Sequence, residues 1–167
     1  KLMSASAEFQ PLAGFYLGVE VETGKTLDFR NNRLGDGLEL VPELKWHLNR
    51  HMQIQARHTY RTLDAASAEV FTANLTDLRL SYQFSVRSFL RLALIYADIR
   101  YNPLNNIGEV DAHEKTLGSQ LLYSYKLNPQ TLFFAGYSDN AFSRDEIEQL
   151  TRDQRSVFLK FSYAWAL

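Results

Sequence analysis

The last eleven residues, Val157 to Leu167 (V-F-L-K-F-S-Y-A-W-A-L), constrain the fold more than any other stretch of the chain. Every second residue, Leu159, Phe161, Tyr163, Trp165 and Leu167, is apolar. The alternate set, Phe158, Lys160, Ser162, Ala164 and Ala166, is small or polar apart from Phe158. A period of two is that of a strand, not a helix. Such an apolar row on a soluble edge strand is an aggregation hazard. A strand in a transmembrane β-barrel needs the row, because its outer face meets lipid.

Composition is compatible with that reading. The 167 residues suffice for one domain. Hydrophobic residues make up 46% and mean hydropathy is −0.28. No window approaches 18 consecutive apolar residues, so no transmembrane helix is expected. Barrel strands escape that test, since polar lumen residues dilute their apolar face. Nine Tyr and eleven Phe suit β-structure and interfacial girdles. A net charge of −1 gives no bulk electrostatic case for nucleic acid. With no cysteine, a disulfide framework or thiolate metal site is excluded. Residues 1–10 lack the long apolar core of a signal peptide, so an exported protein is expected here in mature or recombinant form.

Residues 1–12 carry no clear pattern and are expected to be an N-terminal leader; 13–167 are expected to be the barrel. In the first strand Phe15, Leu17, Val19 and Val21 alternate with Tyr16, Gly18, Glu20 and Glu22, followed by turn chemistry at 30–37. The second runs from about Leu38 to Leu48, with a bulge or irregularity expected at Pro42, which cannot donate to a ladder. The third covers Met52 to about Thr62, with a small-residue loop at 63–69. The fourth is about Val70 to Ser85 and the fifth Phe89 to Tyr101, before a polar loop at 102–115. The sixth is Thr116 to Leu127. The seventh, about Gln130 to Ala141, is apolar on both faces, so its orientation stays open. A polar loop at 139–155, with a helical turn at 145–150, leads to the eighth.

The expectation is therefore an all-β, eight-stranded, antiparallel, up-and-down transmembrane barrel. Turns of two to four residues alternate with loops of roughly seven to fourteen, the layout of an outer-membrane barrel. An even strand number puts both termini on the short-turn, periplasmic side. Trp46, Tyr82, Phe84, Tyr123, Tyr125, Tyr163 and Trp165 fall at the short-turn ends and would form one interfacial girdle. The inner row carries both signs: Glu20, Glu22, Glu43 and Asp77 against Lys45, Arg57, Arg79, Arg91, Lys126 and Lys160. Charges in a narrow lumen must be paired or hydrated, and a mixed set can pair.

The plainer alternative is a soluble lipocalin-type barrel or a β-sandwich, which turns its apolar face inward and leaves those charges on the surface. The Leu and aromatic rows on almost every strand, the sorting of short turns to one end and of aromatics to strand ends argue against it.

From Thr76 onward three segments resemble a known family. They are T-D-L-R-L-S-Y-Q-F-S-V-R-S-F-L-R-L-A-L-I-Y (76–96), L-G-S-Q-L-L-Y-S-Y-K-L-N-P-Q-T-L-F-F-A-G-Y-S-D-N (117–140) and V-F-L-K-F-S-Y-A-W (157–165). Together they resemble the C-terminal β-barrel region of proteobacterial outer-membrane proteins that carry an N-terminal family-9-like carbohydrate-binding domain. That family brings no catalytic motif, and its members are much longer than this chain. The resemblance implies either the last strands of a larger barrel or a small relative.

No chemistry of enzymes stands out. His47 shares the inner row with Glu43 and Lys45, but no Ser or Asp completes a triad at its height, and a lumen hydrogen bond is the simpler role. His58 falls on the outer row; His51 and His113 fall in a turn and a loop. The loop acids Asp139, Asp145, Glu146 and Glu148 lack EF-hand spacing. No metal, cofactor or catalytic residue is expected. The expected role is a non-enzymatic scaffold or anchor in a Gram-negative outer membrane, its lumen filled by ion-paired side chains. The alternative is a porin-like channel, narrow or part of a larger barrel. Expected partners are the lipid bilayer and, during biogenesis, the barrel assembly machinery; the chain is expected to be monomeric and to bind no nucleic acid.

Overall fold

The computed structural model describes residues 1–145 and 147–164, the side chains of 147 and 148 excepted. Among them nine strands form one antiparallel sheet in chain order: β1 Leu2–Leu12, β2 Phe15–Asp28, β3 Arg33–His47, β4 Met52–Ala65, β5 Ala68–Ser85, β6 Ser88–Tyr101, β7 His113–Asn128, β8 Thr131–Arg144 and β9 Ile147–Tyr163. One 3-10 turn, Pro103–Asn105, interrupts the β6–β7 connection. The meander is as expected. The count of eight and the closure are not: β1 and β9 are the two edges of an open sheet.

The extra strand is the stretch expected to be a leader. β1 pairs with β2 from Leu2↔Gly24 to Leu12↔Phe15, with a register shift between Phe9 and Leu12 around Pro11. Its turn is Ala13-Gly14, with Gly14 at φ +82°, a conformation that favours glycine. With an odd number of strands the two ends of the sheet take one terminus each. Lys1 sits beside Gly24, while Tyr163 sits beside Thr131 at the other end, so the expected placement of both termini on the short-turn side does not hold.

The expected alternation of short turns and long loops is also corrected. Residues 13–14, 66–67, 86–87 and 129–130 are two-residue connections; 29–32 and 48–51 have four. The long connection among the described residues is 102–112. At 63–69 and 139–155 the chain continues as paired strand, to Ala65↔Ala68 and Arg144↔Ile147, where loops and a helical turn were expected. These strand ends are mostly small or polar, with isolated apolar residues such as Leu63 and Phe142, which blurs the period-two signal without breaking the ladder. At Pro42 the expected irregularity is present as a gap in the ladder, not as a bulge. The β3–β4 pairing is interrupted between Leu40↔Tyr60 and Glu43↔Arg57, and the register resumes unchanged. A missing N–H removes a ladder bond there without adding a residue.

The sheet has almost no hydrophobic core. Among the described residues the buried apolar side chains are Val41, Leu63, Ala65 and Val70. The last three cluster with Phe71 at the β4–β5 hairpin. Its turn, Ala66-Ser67, has φ of +55° and +63°, the pattern of a type I′ hairpin built without Asn or Gly.

Candidate functional site: the two faces of the sheet

Because paired residues in an antiparallel sheet point the same way, the register sorts every side chain to one of two faces. Glu43, Arg57 and Asp77 lie in one row with Gly18; Lys45, Gln55 and Arg79 lie in the next with Tyr16. Glu20 and Glu22 lie on the same face, opposite Ser6 and Ser4. Arg91 opposes Ser81, Lys126 opposes Leu132 and Lys160 opposes Phe134. All ten sequence-predicted charges therefore share one face.

The ion pairs on this face are local. Lys45 Nζ meets Glu43 at 2.9 Å and Arg79 chelates Asp77 at 2.7 and 3.1 Å, in each case two residues along one strand. Arg61 and Glu39, on neighbouring strands, stand 3.8 Å apart. Lys45 also lies 5.0 Å from the Tyr16 ring centre, and Arg91 5.6 Å from that of Phe89. An open recess of about 290 Å³ runs among Glu43, Gln55, Arg57, Asp77 and Arg79. Charge is uneven across the face. On β1–β3 Glu8, Glu20, Glu22, Glu39 and Glu43 outnumber Lys45, whereas on β4–β9 Arg57, Arg61, Arg79, Arg91, Lys126 and Lys160 outnumber Asp77 and Glu114.

The opposite face carries the apolar rows. Phe15, Trp46, Ile54, Leu80, Leu92 and Leu121 form one continuous row across β2 to β7. Among the described residues no second layer packs on it: Leu121 is 40% exposed, Phe161 65%, and Val157 and Leu159 73% each. The sequence-predicted girdle gathers at its short-turn end. Trp46 packs edge-on against Phe15 at 5.9 Å; Tyr82 meets Phe84 at 4.9 Å, and Phe84 meets Tyr123 at 6.4 Å. Tyr125 pairs with Phe133 and Tyr163 with Thr131 at the same end. Trp165, the remaining girdle residue, lies outside the described residues. The register also settles β8: Phe133, Ala135 and Tyr137 join the apolar face, and Phe134, Gly136 and Ser138 the charged one.

A second aromatic belt was not expected. Tyr60 and Tyr96 lie on the apolar face past the midpoints of β4 and β6, and Tyr137 lies on it at mid-strand in β8. Beyond them the face turns ionic. Tyr96 donates to Asp98 at 3.4 Å and Tyr137 to Asp139 at 2.8 Å. The recurring Tyr-x-Asp, Y-A-D on β6 and Y-S-D on β8, was the signal in the sequence. On β6 the stretch from Ser88, paired with Tyr125, to Tyr96 matches in length the roughly 9–11 tilted residues that cross a hydrocarbon core.

Comparison with protein-family models, with curated proteins and with solved structures gives no match. The geometry alone carries the functional reading.

The connection 102–112 closes one end of the charged face. It reaches over the β4–β5 hairpin to the β2–β3 hairpin. Asn105 donates through Nδ2 to the carbonyls of Ala65, Ala68 and Glu69, and Asn106 to that of Val70. Ile107 N donates to Asn31 Oδ1 at 2.7 Å. Beneath sits Asp28, 3% exposed, which accepts from Asn31 Nδ2 at 2.6 Å and Arg33 Nε at 2.9 Å. Burial pushes the Asp28 carboxyl up, but the Asn31 and Arg33 hydrogen bonds outweigh it and hold it below the usual carboxylate value.

Among the described residues no cluster of His, Asp and Glu is arranged to hold a metal. The histidines are dispersed. His47 pairs across from Gln53 on the charged face, and His51 stacks on Tyr82 at 6.2 Å. His58 Nδ1 contacts Thr76 Oγ1 at 2.9 Å, and His113 Nε2 contacts Asp98 at 2.8 Å.

Proposed function

We propose that the chain is wall of a Gram-negative outer-membrane β-barrel, its apolar face on lipid hydrocarbon and its charged face lining a water-filled passage. The observation that carries the reading is the uncovered apolar face bounded by two aromatic belts. Monomeric soluble proteins rarely expose apolar patches beyond a few hundred Å², and a sandwich would place a second sheet on this one. Outer-membrane barrels carry an apolar band flanked by aromatic girdles at both interfaces.

Passage is favoured over a plugged anchor by the charged face. Its salt bridges join neighbours along or between adjacent strands and so require no opposite wall. An eight-stranded barrel is filled by its own side chains, whereas wider ones leave an aqueous channel. Nine open strands are compatible with the wider class. The scaffold reading draws on the 102–112 connection, which covers one end of the charged face.

Reconstitution decides between these. The chain should enter phosphatidylcholine vesicles from detergent, migrate on gels in a heat-modifiable way, and produce discrete steps in planar-bilayer conductance. Insertion without conductance supports the scaffold. A chain monomeric and soluble without detergent defeats both.

A further inference from the structure

We propose that the apolar face just beyond the upper tyrosines, on β6–β9, docks the phosphate groups of a membrane glycolipid. The proposal rests on the membrane reading above and adds a ligand to it.

Arg100, His113 and Lys115 on β6–β7 and Arg152 and Arg155 on β9 lie past Tyr96 and Tyr137 on the apolar side of the sheet. They span three inter-strand gaps, about 14 Å. Among the described residues three acids lie with them, and all are engaged: Asp145 accepts from the backbone N–H groups of Ala112 and His113, the latter at 2.8 Å. Asp98 holds His113 at 2.8 Å, Arg100 at 3.7 Å and the Tyr96 hydroxyl. Asp139 takes Arg152 Nε on both oxygens, at 3.0 and 2.9 Å, as well as the Tyr137 hydroxyl. Arg155 lies over the Tyr137 ring, 6.0 Å from its centre. The carboxylates thus orient basic side chains beside the tyrosines, and the bases outnumber them.

Elsewhere at this end of the same face, Lys25 is tied to Asp36 at 2.6 Å, and Asp64 adds a further acid. The excess of base is therefore confined to one sector. Tyrosine belts sit at headgroup level, so a cationic sector immediately beyond one meets headgroups. Arginine's planar fork suits phosphate, and each Lys or Arg near an anionic lipid surface adds its own attraction. The chemistry that fits is a phosphorylated glycolipid, with acyl chains along Leu92, Leu94 and Leu121 and phosphates among the bases.

Native mass spectrometry in detergent would compare bis-phosphorylated lipid A with its dephosphorylated form. Protease protection in neutral phosphatidylcholine vesicles would run in parallel. The phosphorylated lipid should bind tighter. The triple variant Arg100→Gln, Lys115→Gln, Arg155→Gln should lose roughly a hundredfold in affinity and still insert; Lys25→Gln should bind as the parent. Equal binding of both lipids, or an unchanged triple variant, would overturn the proposal. So would displacement by inorganic phosphate at concentrations matching the lipid, which would indicate a soluble-anion site. Insertion without phosphate preference removes only the docking site; failure to insert removes the membrane reading with it.

Discussion

Arg33 links two hairpins: its Nε donates to Asp28 at 2.9 Å, while the same guanidinium donates to the Asn105 carbonyl at 2.6 Å and side-chain oxygen at 2.9 Å. The contact spans from β2–β3 to the β6–β7 connection, across the β4–β5 hairpin. Arg33→Met leaves the buried Asp28 carboxylate without its cation. Hydrogen bonds to charged groups contribute about 1.5–3 kcal/mol, so unfolding in detergent should show a loss of about 2 kcal/mol. Cleavage within 102–112 should accelerate. Lys25→Met, which breaks an exposed pair, should cost under about 1 kcal/mol.

Acid should loosen the same connection. The folded Asp28 carboxyl titrates below its unfolded value of 3.8. The unfolded state therefore binds its proton first as pH falls, and the stability contributed is complete above that value. It is lost as pH drops from about 4 through the lower folded value. Limited proteolysis by an acid-active protease should open 102–112 in that window. In Asp28→Asn the connection should be weaker at neutral pH, and this pH dependence should be absent.

The β4–β5 turn should accept a stabilising change. Ala66 and Ser67 both adopt positive φ, which costs an L-residue about 1–2 kcal/mol. Asn-Gly is the pair that type I′ geometry prefers. Ala66→Asn with Ser67→Gly should raise stability by about 1 kcal/mol in a urea titration.

Adjacent residues on β6 test the facing. Leu92 lies in the apolar row with Leu80 and Leu121, and Ala93 in the charged row with Arg79 and Gln120. Arginine on a lipid face near the midplane costs about 2–4 kcal/mol. Leu92→Arg should therefore destabilise the inserted chain by about that amount, and Ala93→Arg by under about 1 kcal/mol, measured by reversible unfolding in vesicles. Equal costs would contradict the assigned polarity.

How much of this the sequence discloses depends on contrast between alternate residues. Leu78, Leu80 and Tyr82 against Asp77, Arg79 and Ser81 differ sharply, so the facing of β5 is legible by inspection. In β1 the alternation is also present, Met3, Ala5, Ala7 and Phe9 against Ser4, Ser6, Glu8 and Gln10, but alanine and serine differ too little to announce a strand. β8 is ambiguous for the opposite reason, with Phe133 and Phe134 equally apolar. Only the fold shows Gly136 on the charged face, leaving the space that the Phe158 ring occupies. The group around Asp28 is built from R-N-N-R and N-P-L-N-N, which read locally as turns. Their meeting is a long-range event with no local trace.

An odd count has one last corollary. Alternating directions over nine strands make the outermost two, β1 and β9, run the same way. Bringing those rims together would create a parallel seam in an otherwise antiparallel ring. A ring with antiparallel neighbours throughout needs an odd number of intervening strands, one at the least. A single complementary peptide, pairing along Ser4–Phe9 on one flank and Val157–Phe161 on the other, would meet that parity.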